Sequence, residues 1–338
     1  MLIKENFPLK QFNTFGIDVK AKYFVELKND DEIVSFISKG FWRDKKFLIL
    51  NGGSNILFTK DFDGVVMKII TRGIELKDET EESTLVKAKA GENWHQFVCW
   101  CISANLGGLE NLSLIPGNVG AAPIQNIGAY GVEQKDVFES LEALEMNSCK
   151  IITFNRKECK FGYRSSIFKK ELKNKYIILS VTYRLSKKPV FNTGYGDIQR
   201  ELAGAGDKEL TLKKISDAIC RIRSSKLPDP VKIGSAGSFF KNPAISREKY
   251  IDLLKKYPGL PGYPGEKGGY KIPAGWMIDH LGWKGFRHGD AGVCATQALV
   301  LVNYGHADGS EILKLAQKIQ ESVETEFGII LEPEVNIY

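Results

Sequence analysis

Apolar residues recur along this chain with two different periods, and the periods predict its helices and strands. Four segments place apolar side chains every three or four positions, as one face of a helix requires. These are residues 31–39, 94–106, 212–222 and 310–327. Short apolar or alternating runs at 47–50, 56–58 and 176–183 predict strands. Because strands and helices do not alternate regularly, we expect an α+β fold.

Polar and glycine residues mark where these elements end. Asn93 can cap the second helix, and Gly107 is expected to end it. Gly328 should end the last helix, with an extended tail beyond it. The acidic run at 75–82 reads as the solvated tip of a hairpin, and the glycine- and proline-rich residues 257–275 as an ordered loop.

Residues 116–131 contain four glycines, three alanines and no charged side chain. Glycine loses more conformational entropy on folding than other residues, so such a segment is costly unless something lies against its backbone. A large flat ligand with a phosphate tail would fit, since bare N–H groups can hold phosphate oxygens. The alternative from composition alone is a tight, irregular loop without a ligand.

A second glycine cluster, Asn-Gly-Gly-Ser-Asn at 51–55, lies between two predicted strands. Such a turn points several N–H donors in one direction, and Ser54 and Asn55 add side-chain donors. It is neither a P-loop nor a dinucleotide fingerprint, because the Lys-Ser/Thr pair and the glycine spacing are missing. An ordinary hairpin turn is the alternative. Two such loops in one chain favour a split nucleotide site.

Length and charge narrow the class of protein. The 338 residues suffice for two or three domains with a substantial core. The 47 basic and 41 acidic residues are spread throughout, giving a net charge of +6. No basic stripe with interleaved aromatics is present, so we expect no nucleic-acid partner. The modest positive balance would favour anionic nucleotides.

Other signals point to a reducing compartment. The N-terminal residues lack the apolar segment of a signal peptide, and no run of about 18 apolar residues occurs. The six cysteines form no C-x-x-C pair, and their positions suggest buried apolar residues. We therefore expect a cytoplasmic protein with no metal site and no membrane partner. The oligomeric state stays open, with a monomer expected.

The combination of these motifs with others along the chain resembles the UDP-N-acetylenolpyruvoylglucosamine reductase family, the flavoenzymes of bacterial peptidoglycan precursor synthesis. The resemblance rests on several segments in the family's order and covers nearly the whole chain. They are Asn-Thr-Phe-Gly at 13–16, the turn at 51–55, Ala-Gly-Glu-Asn-Trp at 90–94, Ile-Pro-Gly-Asn-Val-Gly at 115–120, residues 161–169, residues 224–230, Gly-Ser-Phe-Phe-Lys-Asn-Pro at 237–243 and Leu-Glu-Pro-Glu-Val at 331–335.

The resemblance implies a two-lobed FAD-binding fold of the vanillyl-alcohol-oxidase type with a smaller α+β substrate-binding domain. The expected lobes are residues 1–70 and 71–208, and the substrate domain is 209–327. The tail, 328–338, would return to the flavin region. Residues 192–197 and 257–275 resemble the longer, tyrosine-loop form of the family.

The implied reaction reduces an enolpyruvyl ether to a lactyl ether. NADPH would reduce a noncovalent FAD, whose N5 would give hydride to the methylene carbon of UDP-N-acetylglucosamine enolpyruvate. The protein must then hold the carboxylate, stabilise the enolate and deliver a proton to carbon.

The resemblance assigns these three tasks to Ser238, Arg164 and Glu334. Ser238 lies between Gly237 and two phenylalanines, a setting that suggests a dry wall, and would donate the proton. Arg164 offers a guanidinium fork to a carboxylate or enolate. Glu334 would polarise the enolate carbon or support protonation. From the residues alone, a strand serine, a surface arginine and an exposed strand glutamate remain alternatives.

The remaining site residues follow from the same resemblance. For FAD they are Asn51, Gly52, Gly53, Ser54, Asn55, Ile115, Gly117, Asn118, Gly120, Ala121, Gln125, Asn126, Gly128, Ala129 and Tyr130. For the substrate, Lys226 and Tyr195 would contact the diphosphate, and Asn242 and Gln297 would offer neutral polar contacts. Ordinary surface polarity is the alternative for these four.

Two positions depart from the family pattern. Asn51 opens the first glycine turn, where glycine is more usual, and asparagine tolerates left-handed backbone angles. Cys294 stands where a histidine is expected, so a substrate contact would be missing.

Two other functions remain open. The same flavin fold could serve an oxidase or dehydrogenase of a sugar or alcohol, which would need a base near flavin N5. The protein could also bind a flavin or nucleotide without catalysis, as a sensor or scaffold.

Overall fold

The computed structural model describes residues 1–203, 210–229, 232–265 and 268–338, and these divide into two units. The first unit is formed by residues 1–7, 21–52 and 63–223, and the second by 8–20, 53–62 and 224–338. The chain passes between the units at several points, and one of them falls inside the first glycine turn, between Gly52 and Gly53. The expected boundary at 208 and 209 lies outside the described residues, as does Pro230, and the division into two lobes and a substrate domain stays a prediction.

The first sheet contains four strands, and the first glycine turn follows one of them, β3. The strands of this region are β1 (Ile3–Pro8), β2 (Lys20–Leu27), β3 (Lys46–Leu50), β4 (Ile56–Leu57) and β5 (Phe62–Ile69), of which β4 is not part of this sheet. The sheet order is β1-β2-β5-β3, and β3 runs parallel to β5 with Leu50 opposite Lys68. Helix α1 (Asp30–Ser38) confirms the first predicted helix, and the Asn29 side chain caps it by accepting from the N–H of Glu32.

The second sheet is antiparallel, in the order β11-β10-β12-β7-β6. The elements of this region are β6 (Ile74–Glu79), β7 (Ser83–Lys89), α2 (Trp94–Ser103), β8 (Gly128–Ala129), β9 (Val132–Glu133), β10 (Phe138–Glu145), β11 (Ile151–Asn155), β12 (Tyr176–Ser186), α3 (Gly196–Ala203) and α4 (Leu212–Lys226). The acidic run indeed forms the exposed β6–β7 hairpin. One large apolar core joins both sheets with α1 and α2, and Trp94 is fully buried in it.

The predicted end of α2 is wrong. The helix ends at Ser103, and Asn105 adopts the left-handed backbone conformation with φ +57°. Asparagine tolerates that conformation, so the chain leaves the helix before Gly107. At its other end Asn93 caps the helix as predicted, accepting from the N–H of Gln96.

The second unit contains a four-stranded sheet, a three-stranded sheet, the short β4–β20 pair and the 19-residue helix α7. Its elements are β13 (Gly234–Ser238), β14 (Ala244–Ile245), α5 (Arg247–Lys256), β15 (Tyr263–Pro264), β16 (Tyr270–Lys271), α6 (Ala274–His280), β17 (Arg287–His288), β18 (Ala291–Val293), β19 (Val300–Asn303), α7 (Gly309–Phe327) and β20 (Asn336–Ile337). The sheet orders are β13-β19-β18-β17 and β14-β16-β15. Residues 257–275 are therefore not only loop, because β15 and β16 lie within them. In the tail, β20 pairs in parallel with β4.

Helix α7 shows the predicted apolar stripe, with Ile312, Ile319 and Val323 fully buried. Asp308 and Glu311 form a capping box at its start, and Gly328 ends it with φ +60°. Its first residue, Gly309, packs so tightly that an added Cβ would lie 1.7 Å from the carbonyl oxygen of Phe58.

Replacing Gly309 with alanine should therefore lower the free energy of unfolding by about 3 kcal/mol, since the backbone must move to admit the methyl group. Chemical denaturation of purified protein measures this. Gly259→Ala is the control, because its Cβ would meet no atom within 4 Å. Equal stability of the two variants would contradict the packing described.

The cysteine prediction is only partly right. Cys101, Cys159 and Cys294 are buried, but Cys99 is exposed, and all six are free thiols. In the described part of the chain, no three His, Cys, Asp or Glu side chains lie close enough to hold a metal ion. No helix among the described residues has the length and apolar character needed to cross a bilayer.

Candidate active site

The first glycine turn follows β3 directly, and its backbone leaves no room for side chains. A Cβ on Gly52 would lie 2.5 Å from the Cα of Gly117, so the two predicted glycine loops touch within the first unit. The Oδ1 atom of Asn51 is buried and accepts no hydrogen bond from the described residues. A buried acceptor without a donor is costly, which suggests that a ligand donor completes it.

The second glycine loop is held by the segment that precedes α2. The N–H of Gly120 donates to the carbonyl of Ala90 at 2.9 Å, and a Cβ on Gly120 would lie 2.5 Å from the Ala90 Cβ. Asn118 Nδ2 donates to the Gly91 carbonyl at 2.7 Å. Ile115, Gly117 and Ala121 lie along the same loop and are partly exposed. Glycine at 120 is thus required by packing, and the partly exposed residues remain available to a ligand.

The far arm of this loop carries Arg164 against it. Asn126 Nδ2 donates to the Gly162 carbonyl at 3.1 Å, and Arg164 Nη2 donates to the Gly128 carbonyl at 2.6 Å. Arg164 has φ +49°, a left-handed conformation that its turn fixes through paired backbone bonds between Gly162 and Ser165. Gln125 and Ala129 lie in the same arm. The predicted catalytic arginine and the predicted cofactor arm are therefore one connected structure.

Tyr130 ends this arm and meets two further side chains. Its ring lies 5.4 Å from that of Tyr195, edge to face, and Tyr195 is 49% exposed. The Tyr130 side chain also interacts electrostatically with Arg223, whose Nε donates to the Leu114 carbonyl at 3.3 Å. Burial lowers the pKa of the Arg223 guanidinium and raises the pKa of Tyr130. Arg223 was not predicted as a site residue, because in the sequence an arginine beside a helical apolar stripe looks like a solvated one.

In the second unit, Ser238 and Glu334 lie on neighbouring backbone segments. Ser238 is the last residue of β13, and Gly237 before it has φ +69°. The N–H of Phe239 donates to the Leu299 carbonyl, and the N–H of Glu334 donates to the Phe239 carbonyl, both at 2.8 Å. Phe239, the residue after Ser238, is fully buried. Both side chains are themselves partly exposed.

The first glycine turn also supplies a contact to Glu334. Asn55 Nδ2 donates to the Glu334 carbonyl at 3.2 Å, and the N–H of Asn336 donates to the Asn55 carbonyl at 3.1 Å. Gly53 and Ser54 precede Asn55 in the second unit, and Gly53 has φ +65°. The tail and the second half of the turn are thus tied together by backbone and amide hydrogen bonds.

The side chains of Asn242 and Gln297 both lie near the first residues of α6. Asn242 Oδ1 accepts from the N–H of Ala274 at 2.9 Å. Gln297 Oε1 accepts from the N–H of Leu299 at 3.3 Å and lies 3.2 Å from where a Cβ of Gly275 would be. Both amide groups are partly exposed. Since Leu299 also pairs with the residue after Ser238, these two predicted substrate residues belong to the same part of the second unit as Ser238.

Lys226 and Cys294 are connected through one hydroxyl. Thr296 Oγ1 donates to the Lys226 carbonyl at 2.8 Å, and the Cys294 Sγ lies 3.2 Å from the same Oγ1. Cys294 is buried. The residue that stands in place of the expected histidine therefore supports the backbone of a predicted phosphate-binding lysine.

The chemistry of these residues is compatible with a nucleotide. The backbone at Gly52 packs too closely on Gly117 to admit a side chain, and a hydroxyl or amino group of a nucleotide could donate to the buried Asn51 Oδ1. The individual FAD and substrate contacts stay predictions.

The glycine requirement at the first turn can be measured. Gly52→Ala should yield protein that purifies with less than about a tenth of the wild-type FAD, because the new methyl group pushes the two loops apart. Gly194→Ala is the control, as its Cβ would have no neighbour within 4 Å. The ratio of flavin to protein absorbance measures the FAD content. A Gly52→Ala protein with full FAD occupancy would show that FAD binding does not need glycine at this position.

Comparison with known proteins supplies the family. Residues 21–155 match an FAD binding domain, and residues 229–338 match the C-terminal domain of UDP-N-acetylenolpyruvoylglucosamine reductase. The crystal structure of UDP-N-acetylenolpyruvylglucosamine reductase from Thermus caldophilus superposes with a TM-score of 0.70 at 24% identity, covering 100% of this chain and 99% of that one. The predicted α+β FAD-binding fold is confirmed.

The sequence relatives agree over the full length. The chain is 51% identical to UDP-N-acetylenolpyruvoylglucosamine reductase of Amoebophilus asiaticus, covering 100% of this chain and 99% of the relative. It is 49% identical to the enzyme of that name from Flavobacterium johnsoniae, with 100% of both chains covered. For the Pseudomonas aeruginosa enzyme the identity is 46%, with 99% of both covered. The chain therefore belongs to the UDP-N-acetylenolpyruvoylglucosamine reductase family.

Proposed function

We propose that this chain is an NADPH-dependent reductase that converts UDP-N-acetylglucosamine enolpyruvate to UDP-N-acetylmuramate in peptidoglycan precursor synthesis. Family membership supports the reductase class and the use of FAD. The observation that carries the reaction is the pairing of Ser238 and Glu334 on adjacent backbone segments, next to Asn55 of the glycine turn. An oxidase of the same fold has no use for a proton donor paired in this way.

The chemistry divides between cofactor and protein. Bound FAD supplies the two-electron transfer from NADPH to the methylene carbon of the enol ether. The residues in contact with FAD would include Asn51, Gly52, Gly117 and Asn118. To complete the reduction, the protein adds one proton to the carbon that bears the carboxylate and the ether oxygen, so that two hydrogens are gained in total.

Arg164 would hold the substrate carboxylate. Its guanidinium stays charged at all physiological pH values and binds carboxylates through two parallel N–H donors. One of its nitrogens already donates to the Gly128 carbonyl, which fixes the direction of the fork. As charge builds on the carboxylate when the enolate forms, the guanidinium stabilises the transition state more than the ground state.

Ser238 would transfer the proton, and Glu334 would assist it. A free hydroxyl is a weak acid, so its donation to carbon needs a neighbour that compensates the developing alkoxide or returns a proton. The backbone bond between Glu334 and the residue after Ser238 supports this assistance, because it holds the two residues on neighbouring segments. The fully buried Phe239 beside Ser238 would limit the access of water to this hydroxyl group.

The nucleotide part of the substrate would be recognised by one positively charged side chain and by neutral polar groups. Lys226 would contribute a compact positive charge and Tyr195 a hydroxyl to the diphosphate. Asn242 and Gln297 would offer amide groups to the sugar or uracil. A soluble nucleotide-linked sugar as substrate also supports a cytoplasmic location, with no nucleic-acid or membrane partner.

Product analysis tests the proposal. Purified protein incubated with the enol ether and NADPH should consume both in equal amounts and form a product heavier by two hydrogens. In D₂O one deuterium should enter at the protonated carbon, because the serine hydroxyl exchanges with solvent. If NADPH is not consumed and a sugar or alcohol instead reduces the flavin, the oxidase alternative is correct.

A further inference from the structure

Lys68 is a partly buried lysine on a central strand of the first sheet. Strand β5 lies between β2 and β3, and its residues Val65, Met67 and Ile69 point into the large apolar core. Successive side chains of a strand alternate between its faces, so Lys68 lies on the opposite face. A partly buried ammonium group on a central strand loses hydration and therefore needs a compensating interaction.

The contact that Lys68 makes is with the first glycine turn. Leu50 is opposite Lys68 in the parallel pairing of β3 with β5, so Asn51 follows at the strand end. Lys68 Nζ donates a hydrogen bond to the Asn51 carbonyl. The positive charge is therefore fixed at the first residue of the turn that also contains the buried Asn51 Oδ1 and the close Gly52 backbone.

The surroundings of Lys68 bring its pKa close to neutral pH, so that a neighbouring charge can change its protonation state. Burial lowers the pKa of Lys68, Glu26 on the adjacent strand β2 raises it and Arg72 lowers it, and the combined result is a pKa of about 8. An anion placed beside the ammonium would favour the charged form and raise this pKa.

We propose that Lys68 is a further FAD-binding residue, whose ammonium supplies positive charge to the diphosphate at the first glycine turn. An ammonium has three donors, so holding the Asn51 carbonyl is compatible with contact to a phosphate oxygen. A lysine suits this place because its charge is compact and can be gained when the anion arrives. The proposal rests on FAD binding alone and is independent of which substrate the enzyme reduces.

The proposal fixes the sign of a pH effect. The Lys68 pKa is higher in the FAD complex than in the free protein, so its contribution to affinity is fully present below about pH 8. As the pH rises above that value, the free protein loses the proton, and FAD binding must take it up again. Affinity should then fall by up to about tenfold per pH unit, until the pKa of the complex is reached.

Calorimetric titration of the full-length, FAD-free protein with FAD tests this directly. Titrations at about pH 7 and about pH 9, in buffers of different ionisation enthalpy, report the protons taken up on binding. Wild type should take up almost none at about pH 7 and a large fraction of one proton at about pH 9. Lys68→Met should weaken FAD binding by about 10- to 100-fold at about pH 7 and abolish the proton uptake.

Two further variants make the result unambiguous. Lys68→Arg keeps a charge that does not titrate, so it should retain most of the affinity at about pH 7 without proton uptake at about pH 9. Lys46→Met, at an exposed lysine on the neighbouring strand β3, should behave as wild type. The proposal is overturned if Lys68→Met binds FAD as wild type does, or if wild type and Lys68→Arg take up the same number of protons at about pH 9. A protein that binds FAD with this proton linkage but reduces no enol ether would refute the proposed function and leave this inference intact.

Discussion

Replacing Ser238 with alanine is expected to slow reduction of the enol ether by roughly 10²- to 10⁴-fold, the usual contribution of a positioned general acid. FAD content and reduction of the flavin by NADPH should stay normal. Ser238 ends β13, and no described hydrogen bond of the FAD loops passes through its side chain, so the change removes the proton donor and little else. Single-turnover kinetics of the two half-reactions separate these effects.

The control for this variant lies on the same strand. Ser235 is buried and pairs with Val302, so Ser235→Ala changes a serine of β13 away from its end. We expect it to retain the normal rate of enol ether reduction. A Ser238→Ala protein that reduces the substrate as fast as wild type would show that the proton comes from another group.

The second large effect is expected at Arg164. Arg164→Lys keeps the positive charge but loses the planar fork, and it should lower kcat/KM for the enol ether by about 10²- to 10³-fold. Most of the loss should fall on kcat if the guanidinium binds the enolate more tightly than the substrate. Steady-state kinetics with each substrate varied in turn measure both parameters.

Two checks distinguish catalysis from structure at Arg164. Because its Nη2 donates to the Gly128 carbonyl, FAD content of the variant must be measured as well. Arg156→Lys, at an exposed position before the same turn, is the matched control and should be unaffected. Loss of FAD with normal kcat per bound flavin would assign Arg164 a purely structural role.

Local signals in the sequence predicted helices α1, α2, α4 and α7, whereas α3, α5 and α6 were not predicted. The cap at Asn93 and the end of α7 at Gly328 were predictable because they depend on residues within one turn of each helix. The same local reasoning failed where two signals competed, as at Asn105, which ends α2 before Gly107 does. It also missed the pairing of β15 and β16, which are too short to show a strand pattern.

The site was predicted by motif rather than by physics, and its connections were not visible in the sequence. The contact of Glu334 with Phe239 joins segments far apart in the chain, and no local pattern specifies it. Arg223 and Lys68 look like ordinary surface cations until the structure shows the first against Tyr130 and the second against Asn51. Buried cations of this kind are found only once the fold places their neighbours.

The most direct test of the reductase account is the reoxidation of reduced enzyme by its substrate in the absence of oxygen. The FAD-containing protein is reduced with one equivalent of NADPH and mixed with UDP-N-acetylglucosamine enolpyruvate, while the absorbance of oxidised flavin is followed. If the protein is this reductase, we expect this absorbance to return in a single rapid phase, with one UDP-N-acetylmuramate formed per flavin. A flavin that stays reduced in the presence of the enol ether would contradict it.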